Sequence, residues 1–431
     1  MVRKVFISFL GTNNYVETHY ELNGKVSKPV RFIQEALISS ICKKWEEKDK
    51  IFIFCTEGAC QMNWVDNGQK NTQTDIEKIG LDQRLKDLNL QVKHEKVNIK
   101  EGFSLEEIWD IFDTVYNKLE AKDEIYFDVT HAFRSIPMFS TILFNYSRSM
   151  LDTEVKSIYY GAFEKLGFAS EVKKMPLEKR IAPIIDLTGF TNLQQTIQAA
   201  NDFKNFGKVS SISTLIKTSD NNRINDAIQK LKTELQNLDG YIATCRMADI
   251  KSGAFAKKIL EVFQKALRSK SITLSEKELL NRINDKISSF FKPEPSDENI
   301  KVAISWAFEY GMIQQAYTLG QEYIISCVAK KFNDKNPFEK EKDFRMFISG
   351  VLNIEDKNIE EDNFKYSLAE NKKLTKEILS LDWIKELRKE YKHFADNRNN
   401  VNHAKGKKTE NEFKTQFKSF HKCLDILGNS N

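Results

Sequence analysis

The chain has 431 residues, of which 41% are hydrophobic and 11% aromatic, so it is long enough for two or three domains with substantial cores. Thirty phenylalanines against 17 glycines and seven prolines exclude a disordered or fibrous protein and favour a helix-rich globular one. No apolar run approaches the roughly 18 residues of a membrane span. The N-terminal "KVFISFLG" is followed too soon by polar residues to be a signal peptide, so we expect a cytoplasmic protein that binds no membrane.

Strand-like and helix-like segments alternate along residues 1–190. Short apolar runs predict strands, and apolar residues at helical spacing predict helices. Because near-continuous apolar strands separated by helices are typical of parallel strands covered on both faces, the sequence predicts an α/β, Rossmann-like, doubly wound domain. The predicted strands cover residues 3–11, 51–59, 90–99, the first part of 124–137, and 155–163, and the predicted helices cover 28–46, 74–88, 104–120 and the residues up to about 151.

After about residue 191 the strand-like runs vanish and helical patterns continue to the end, which predicts an all-α C-terminal region. The clearest break is "KPEPSDENI" at 292–300, where two prolines precede Ser296 or Asp297 as a helix N-cap. We therefore predict a Rossmann-like domain at 1–190, a helical linker or subdomain at 191–295, and an all-helical domain at 296–431. Alternatively, residues 200–290 are the front of the same helical domain.

Three polar loops follow predicted strands in the N-terminal half, at the strand ends where open parallel sheets bind ligands. The third loop offers hydroxyls, an imidazole and a guanidinium, which suit a phosphate-bearing ligand. Neither GxGxxG nor GxxxxGK[ST] occurs, so NAD binding and P-loop ATP binding lose their main support. The candidate ligand-binding residues are Gly11, Thr12, Asn13, Asn14, Thr56, Glu57, Asp128, Thr130, His131, Arg134 and Ser135.

Each of the charged or titratable candidates also has a purely structural alternative. Asp128 would then brace a neighbouring loop, His131 would be a packed histidine, and Arg134 would belong to a surface ion pair. Their clustering after one strand favours a ligand site over these alternatives.

The segments "SFLGTNNY" (8–15) and "DVTHAFRSIP" (128–137) resemble the sensor domain of the CRISPR-associated DxTHG-motif family, the CARF proteins. The chain departs from the family pattern at Ala132, where the family has glycine. The resemblance implies a dimeric receptor whose ligand, a cyclic oligoadenylate, lies across a two-fold axis. We expect cyclic tetra-adenylate as the activator and no metal or other cofactor. The residues that match the pattern are Asp128, Thr130, His131, Phe133, Arg134, Ser135 and Pro137.

The segment "LRKEYKHFADNRNNVNHAK" (387–405) contains an arginine followed five residues later by a histidine twice. The first pair, Arg388 and His393, lies in a predicted amphipathic helix, where we expect both residues to be exposed or flanking. The second pair, Arg398 and His403, follows "ADN", which predicts the N-cap of a new helix. Residues 371–408 carry eleven Lys and Arg against five Asp and Glu, so they form either a solvated face or a surface that attracts a polyanion.

The second pair resembles the Arg-polar-x3-His signature of HEPN ribonucleases, and the whole chain then resembles a CARF–HEPN ribonuclease of type III CRISPR systems. This implies that Arg398, Asn399 and His403 cleave single-stranded RNA without a metal, by attack of the 2′-OH on the adjacent phosphorus. Because five helical residues place Arg398 and His403 about 140° apart, two motif helices of a homodimer or higher even oligomer would share one cleft. The alternatives are a non-catalytic cyclic-oligoadenylate receptor, or a CARF domain that also cleaves its own ligand.

Overall fold

The computed structural model describes residues 2–69, 78–131, 136–211, 222–267, 274–402 and 408–430. Contacts divide the chain into two compact units, residues 1–192 and 193–431. The division falls close to the predicted end of the N-terminal domain. Residues 191–295, predicted as a linker or subdomain, share one hydrophobic core with the helices that follow, as in the alternative prediction.

The first unit is built on an eight-stranded sheet with the order β3-β2-β8-β7-β6-β1-β4-β5. The strands are β1 Lys4–Leu10, β2 His19–Leu22, β3 Lys25–Val26, β4 Lys50–Cys55, β5 His94–Asn98, β6 Glu124–Asp128, β7 Glu154–Gly161 and β8 Ile181–Asp186. The five strands β7, β6, β1, β4 and β5 are parallel to one another, as predicted. Strand β8 pairs antiparallel with β7, and β3 pairs antiparallel with β2, so the sheet is mixed and the expectation of a wholly parallel sheet was wrong at this edge.

The central strand β1 is buried along six of its seven residues because helices cover both faces of the sheet. Phe6 and Leu10 pack into one core, whereas Val5, Ile7 and Phe9 pack into the core on the opposite face. Burying each such side chain stabilises the fold by roughly 1.5–3 kcal/mol. The helices of this part are α1 Ile33–Ile41, α2 Glu57–Ala59, α3 Leu81–Asp87, α4 Leu105–Tyr116, α5 Ile136–Leu151 and α6 Ala169–Val172.

The remaining described residues form helices, and no strand follows β8 in the described part of the chain. One core extends from Ala199 to Leu427. Ser296 caps the helix after the proline-rich break, as predicted, since its Oγ accepts a hydrogen bond from the amide of Glu298 at 3.2 Å. These helices are α7 Gly189–Phe206, α8 Asn222–Ala243, α9 Met247–Ser252, α10 Ala254–Leu267, α11 Leu274–Phe290, α12 Asp297–Glu309, α13 Ile313–Lys331, α14 Glu341–Asn353, α15 Asp356–Glu360, α16 Ser367–Glu370, α17 Lys372–Ser380, α18 Asp382–Asn402, α19 Glu410–Gln416 and α20 Lys418–Asn429.

Helix α18 contains Arg388, His393 and Arg398, and it runs through "ADN" without a break to Asn402. The prediction of a new helix at Asp396 or Asn397 was therefore wrong. The buried stripe of the helix continues through Phe394, and the Asn397 side chain donates to the carbonyl of His393 at 2.9 Å instead of capping a helix start.

Two contacts fix the position of α18 in the second unit. The Phe394 ring stacks on Tyr317 of α13 with ring centroids 4.7 Å apart. This approach requires Gly320, because a Cβ there would lie 2.8 Å from the Phe394 ring. None of the helices among the described residues is long and apolar enough to cross a membrane.

Candidate functional site

The three predicted ligand loops lie at the same end of three adjacent parallel strands. Strand β1 pairs with β4 on one side, with Leu10 opposite Cys55, and with β6 on the other, with Ser8 opposite Asp128. The loops that follow these strands therefore come together at the carboxyl edge of the sheet, as the sequence predicted.

The candidate residues differ in how far they face solvent. Gly11 is half-buried, and a Cβ at this position would lie 2.5 Å from the Tyr15 hydroxyl, so a larger residue would displace the Tyr15 side chain. The candidates Arg134 and Ser135 lie outside the described residues. The exposed candidates are Thr12, Asn13, Asn14 and Glu57, the half-buried ones are Thr130 and His131, and the buried ones are Thr56 and Asp128.

Asp128 is fully buried and braces the third loop. Its carboxylate accepts hydrogen bonds from Ser8 Oγ at 2.7 Å and from the amide of Thr130 at 3.0 Å. Thr130 Oγ1 in turn accepts from the amide of Gly161 at 2.8 Å. Burial raises the pKa of Asp128, although the hydrogen bonds from Thr130 and Ser8 lower it in part. In this structure Asp128 sets the loop geometry, and a direct contact with a ligand stays a prediction.

His131 packs against Tyr15, with ring centroids 4.3 Å apart and the planes inclined by 34°. Desolvation lowers the pKa of the imidazole to about 4, so the ring is neutral at pH 7. A neutral imidazole carries one N–H donor, which suits a hydrogen bond to a phosphate or to a base edge.

The loop after β1 is held by side chains from other parts of the unit. Asn63 Nδ2 donates to the carbonyls of Gly11 at 2.8 Å and Asn13 at 2.9 Å. Arg31 Nη2 fixes Asn63 by donating to its Oδ1 at 2.9 Å. These bonds leave the exposed part of the loop with a defined backbone.

Positive charge lies beside this loop. Lys78 Nζ donates to Asn14 Oδ1 at 2.9 Å. Burial lowers the pKa of Lys78, and the nearby charges of Arg31 and Lys173 lower it further. Within the described ranges, neither Lys78 nor Arg31 has a carboxylate within 4 Å. Lys78 is half-buried, so its charge can reach an anion, whereas Arg31 is buried and donates to Asn63 and to the carbonyl of Ile79.

In the second unit, Arg388 is a structural residue. It is buried and donates to the carbonyl of Ile354 and to the carboxylate of Asp356 at 2.9 Å, whereas His393 is exposed. The expectation that Arg388 would be exposed was wrong, because the ion pair allows the guanidinium to be buried.

Arg398 has a different environment. It is half-buried, its Nε has no hydrogen-bond partner among the described residues, and its Nη1 makes a contact of 3.4 Å with Oδ1 of Asn399. Asn399 is exposed, and His403 lies outside the described residues. Among arginines of this unit whose side chains are described, Arg398 alone lacks a carboxylate within 4 Å. The others, Arg246, Arg282, Arg345 and Arg388, pair with Asp249, Glu278, Glu322 and Asp356 at 2.5–2.9 Å.

Residues 5–164 match the family model of the CARF domain of the CRISPR system endoribonuclease Csx1. The first unit contains a CARF domain. The matched range includes all three loops, and it confirms the resemblance to CRISPR-associated CARF proteins that the two sequence segments indicated.

Two further similarities extend beyond residues 5–164 and are more distant. The CRISPR-associated protein MJ1674 of Methanocaldococcus jannaschii is 23% identical over 338 residues, which are 77% of this chain and 46% of that protein. This chain therefore spans about half the length of that relative. A structure of Enterococcus italicus Csm6 bound to cyclic hexa-2'-fluoro-hexa-dAMP aligns with 100% of this chain and 96% of its own, at 11% identity and a TM-score of 0.47. That score is too low to assign a shared fold.

Sequence reasoning missed the CARF-domain residues that support the loops. Asn63 and Arg31 are distant in sequence from the loop they hold, and Gln34 donates to Ser8 Oγ at 3.1 Å from helix α1. Nothing in their local sequence distinguishes them from ordinary helix or loop residues. Lys78 lies within a predicted helix, and its contact with Asn14 depends on the fold.

Proposed function

We propose that this chain is an endoribonuclease of type III CRISPR defence that a cyclic oligoadenylate activates. The observation that carries the proposal is that Arg398 has no carboxylate within 4 Å among the described residues, in a unit where the other described arginines pair with carboxylates. An uncompensated guanidinium beside an exposed asparagine suits a phosphate of RNA.

The proposed ligand of the CARF domain follows from the chemistry of its loop edge. Lys78 and Arg31 supply positive charge, neutral His131 supplies a hydrogen-bond donor, and the exposed amides of Asn13 and Asn14 can bind phosphates or base edges. Arg134 and Ser135 would add a guanidinium and a hydroxyl. A ring of adenylates presents both phosphates and base edges to these side chains.

The proposed RNA cleavage needs no group beyond the protein and the substrate. The 2′-oxygen attacks the adjacent phosphorus and loses its proton, while the bond from phosphorus to the 5′-oxygen breaks and that oxygen gains a proton. His403 would act in these proton transfers as base or acid, and Arg398 would stabilise the charge on the phosphoryl oxygens. Asn399 would orient the imidazole of His403 or the phosphate. The products would be a 2′,3′-cyclic phosphate and a 5′-hydroxyl.

A homodimer is part of this proposal, and an exposed apolar face of the CARF domain supports it. Met138, Ile142, Tyr146 and Met150 recur every four residues along α5 and are 46–75% exposed. Trp109 of α4 extends the face. Exposed apolar patches of this kind mark interfaces. Because α5 follows the third ligand loop directly, a second copy on this face would bring two sets of loops close together.

The direct test is cleavage of a single-stranded RNA by the full chain, with and without cyclic tetra- and hexa-adenylate. We expect ring-dependent cleavage that His403→Ala abolishes, with ring binding retained and a substrate with 2′-deoxyribose left intact. His393→Ala is the matched control, since His393 belongs to the other Arg–His pair and is exposed on α18, and it should cleave normally. Normal cleavage by His403→Ala with loss in His393→Ala would show that the wrong pair was chosen. Ring binding without any cleavage would indicate a non-catalytic receptor.

A further inference from the structure

A second cation lies beside the Arg398 turn of α18. Lys408 Nζ donates to Oδ1 of Asn397 at 2.7 Å and to Oε1 of Gln416 at 2.8 Å. Both acceptors are neutral amides, and no carboxylate of the described residues lies within 4 Å of this ammonium. Because a lysine ammonium has three N–H donors, one remains for another partner. The Glu412 carboxylate interacts with this charge from beyond 4 Å, and it accepts hydrogen bonds from Thr409.

The bond to Asn397 ties this cation to the predicted active-site turn. Asn397 is buried, and its two amide ends are both used, one by Lys408 and the other by the carbonyl of His393. Its orientation is therefore fixed, and it directly precedes Arg398 in the helix. Lys408 is held next to the turn that carries Arg398 although the two residues are ten positions apart.

Lys408 also lines a cavity of about 330 Å³ together with Asn400 and Val401, which follow Arg398 and Asn399 in α18. The acidic residue of this cavity is Glu410, and Lys414 neutralises it at 2.6 Å. The rest of the lining is apolar apart from Asn400, so Lys408 is the charged group of this cavity that has no carboxylate within 4 Å among the described residues. This balance favours an anionic occupant.

We propose that Lys408 is a second phosphate-binding residue of the RNA site, and that it contacts a phosphate next to the one held by Arg398. This proposal rests on the proposed ribonuclease function. Two cations beside one turn of α18, each without a carboxylate within 4 Å among the described residues, suit a single strand that carries a phosphate at every nucleotide. Sequence patterns gave no sign of it, because Lys408 is one of many lysines in a basic segment.

The test is the salt dependence of RNA affinity in the His403→Ala background, with the full chain and saturating cyclic oligoadenylate. Each phosphate contact to a single strand contributes about 0.7 to the slope of log affinity against log salt. Lys408→Met should reduce that slope by about 0.7 and weaken RNA binding about tenfold near physiological salt. Lys408→Arg keeps the charge and should keep the slope.

The matched control is Lys422→Met, which also removes one lysine from this unit. Lys422 pairs with Glu390 at 3.0 Å, so its loss should leave the slope unchanged. A Lys408→Met variant with the slope of Lys422→Met would overturn the proposal. So would a lower melting temperature with weaker binding but an unchanged slope, since Lys408 would then only brace Asn397. If the unsubstituted chain cleaves RNA, these outcomes contradict only the role of Lys408. If it does not cleave RNA, the proposed ribonuclease function itself is wrong.

Discussion

At the scale of single residues, burial acts in opposite directions on the two titratable groups of the third CARF loop. It raises the pKa of Asp128 and lowers that of His131, because in each case it favours the neutral form. The imidazole is therefore uncharged at pH 7. Among the described residues, the positive charge beside this site comes from Lys78 and Arg31 at the neighbouring loop.

The lowered pKa of His131 predicts a loss of stability in acid. The folded chain holds this imidazole with a pKa of about 4, against 6.5 ordinarily, so the unfolded chain binds more protons between those values. Stability should fall by up to about 3 kcal/mol as the pH drops from 6.5 to 4. The variant His131→Gln should lose less over the same range, as measured by urea unfolding at about pH 7 and about pH 4.5.

His393→Gln makes the same chemical change at an exposed position, and its unfolding should follow that of the unsubstituted chain at both pH values. Equal pH dependence of the unsubstituted chain and His131→Gln would contradict the desolvation of this ring.

At the scale of elements, the sequence predicted the parts whose signal is local. The apolar runs of β1, β4 and β6 and the loops after them are read directly from residue order, and so is the cap at Ser296. Strand β8 was missed because "IAPIID" contains a proline and is only partly buried, and the short β2 and β3 lie at the sheet edge. The continuity of α18 was missed because it depends on Phe394 packing against Tyr317, a tertiary contact.

The apolar face of α5 predicts the dimer interface at this scale. A lysine in place of Ile142 would bury an unpaired charge in the interface, which costs several kcal/mol. Ile142→Lys should therefore raise the dimer dissociation constant at least about a hundredfold, as measured by analytical ultracentrifugation.

Val26→Lys provides the control, because Val26 of the edge strand β3 is 52% exposed and Ile142 is 56% exposed. This control should leave the dimer intact. A dimer that tolerates Ile142→Lys would show that the copies associate through another surface.

At the scale of the whole molecule, the proposed function requires that events in the CARF domain change the α18 site of the other unit. The sequence assigned a sensor and a cleaving domain, but the strength of their coupling depends on how differently the ligand binds two states of the dimer. That difference has no signature in residue order. Coupling is a free energy between two sites, so it acts equally in both directions.

Reciprocity gives a prediction that needs no cleavage. In the His403→Ala variant, RNA binding should tighten the affinity for cyclic tetra-adenylate by the same factor by which the cyclic tetra-adenylate tightens RNA binding. Coupling of about 1–3 kcal/mol corresponds to a factor of about 5–150. Both factors can be measured by titration calorimetry, with each ligand added in the absence and in the presence of the other.

Arg134→Ala should weaken ring binding while leaving the affinity for RNA without the ring unchanged. If the ring binds tightly but leaves the RNA affinity unchanged, RNA binds the two states of the protein equally well. Activation would then act on the cleavage step alone.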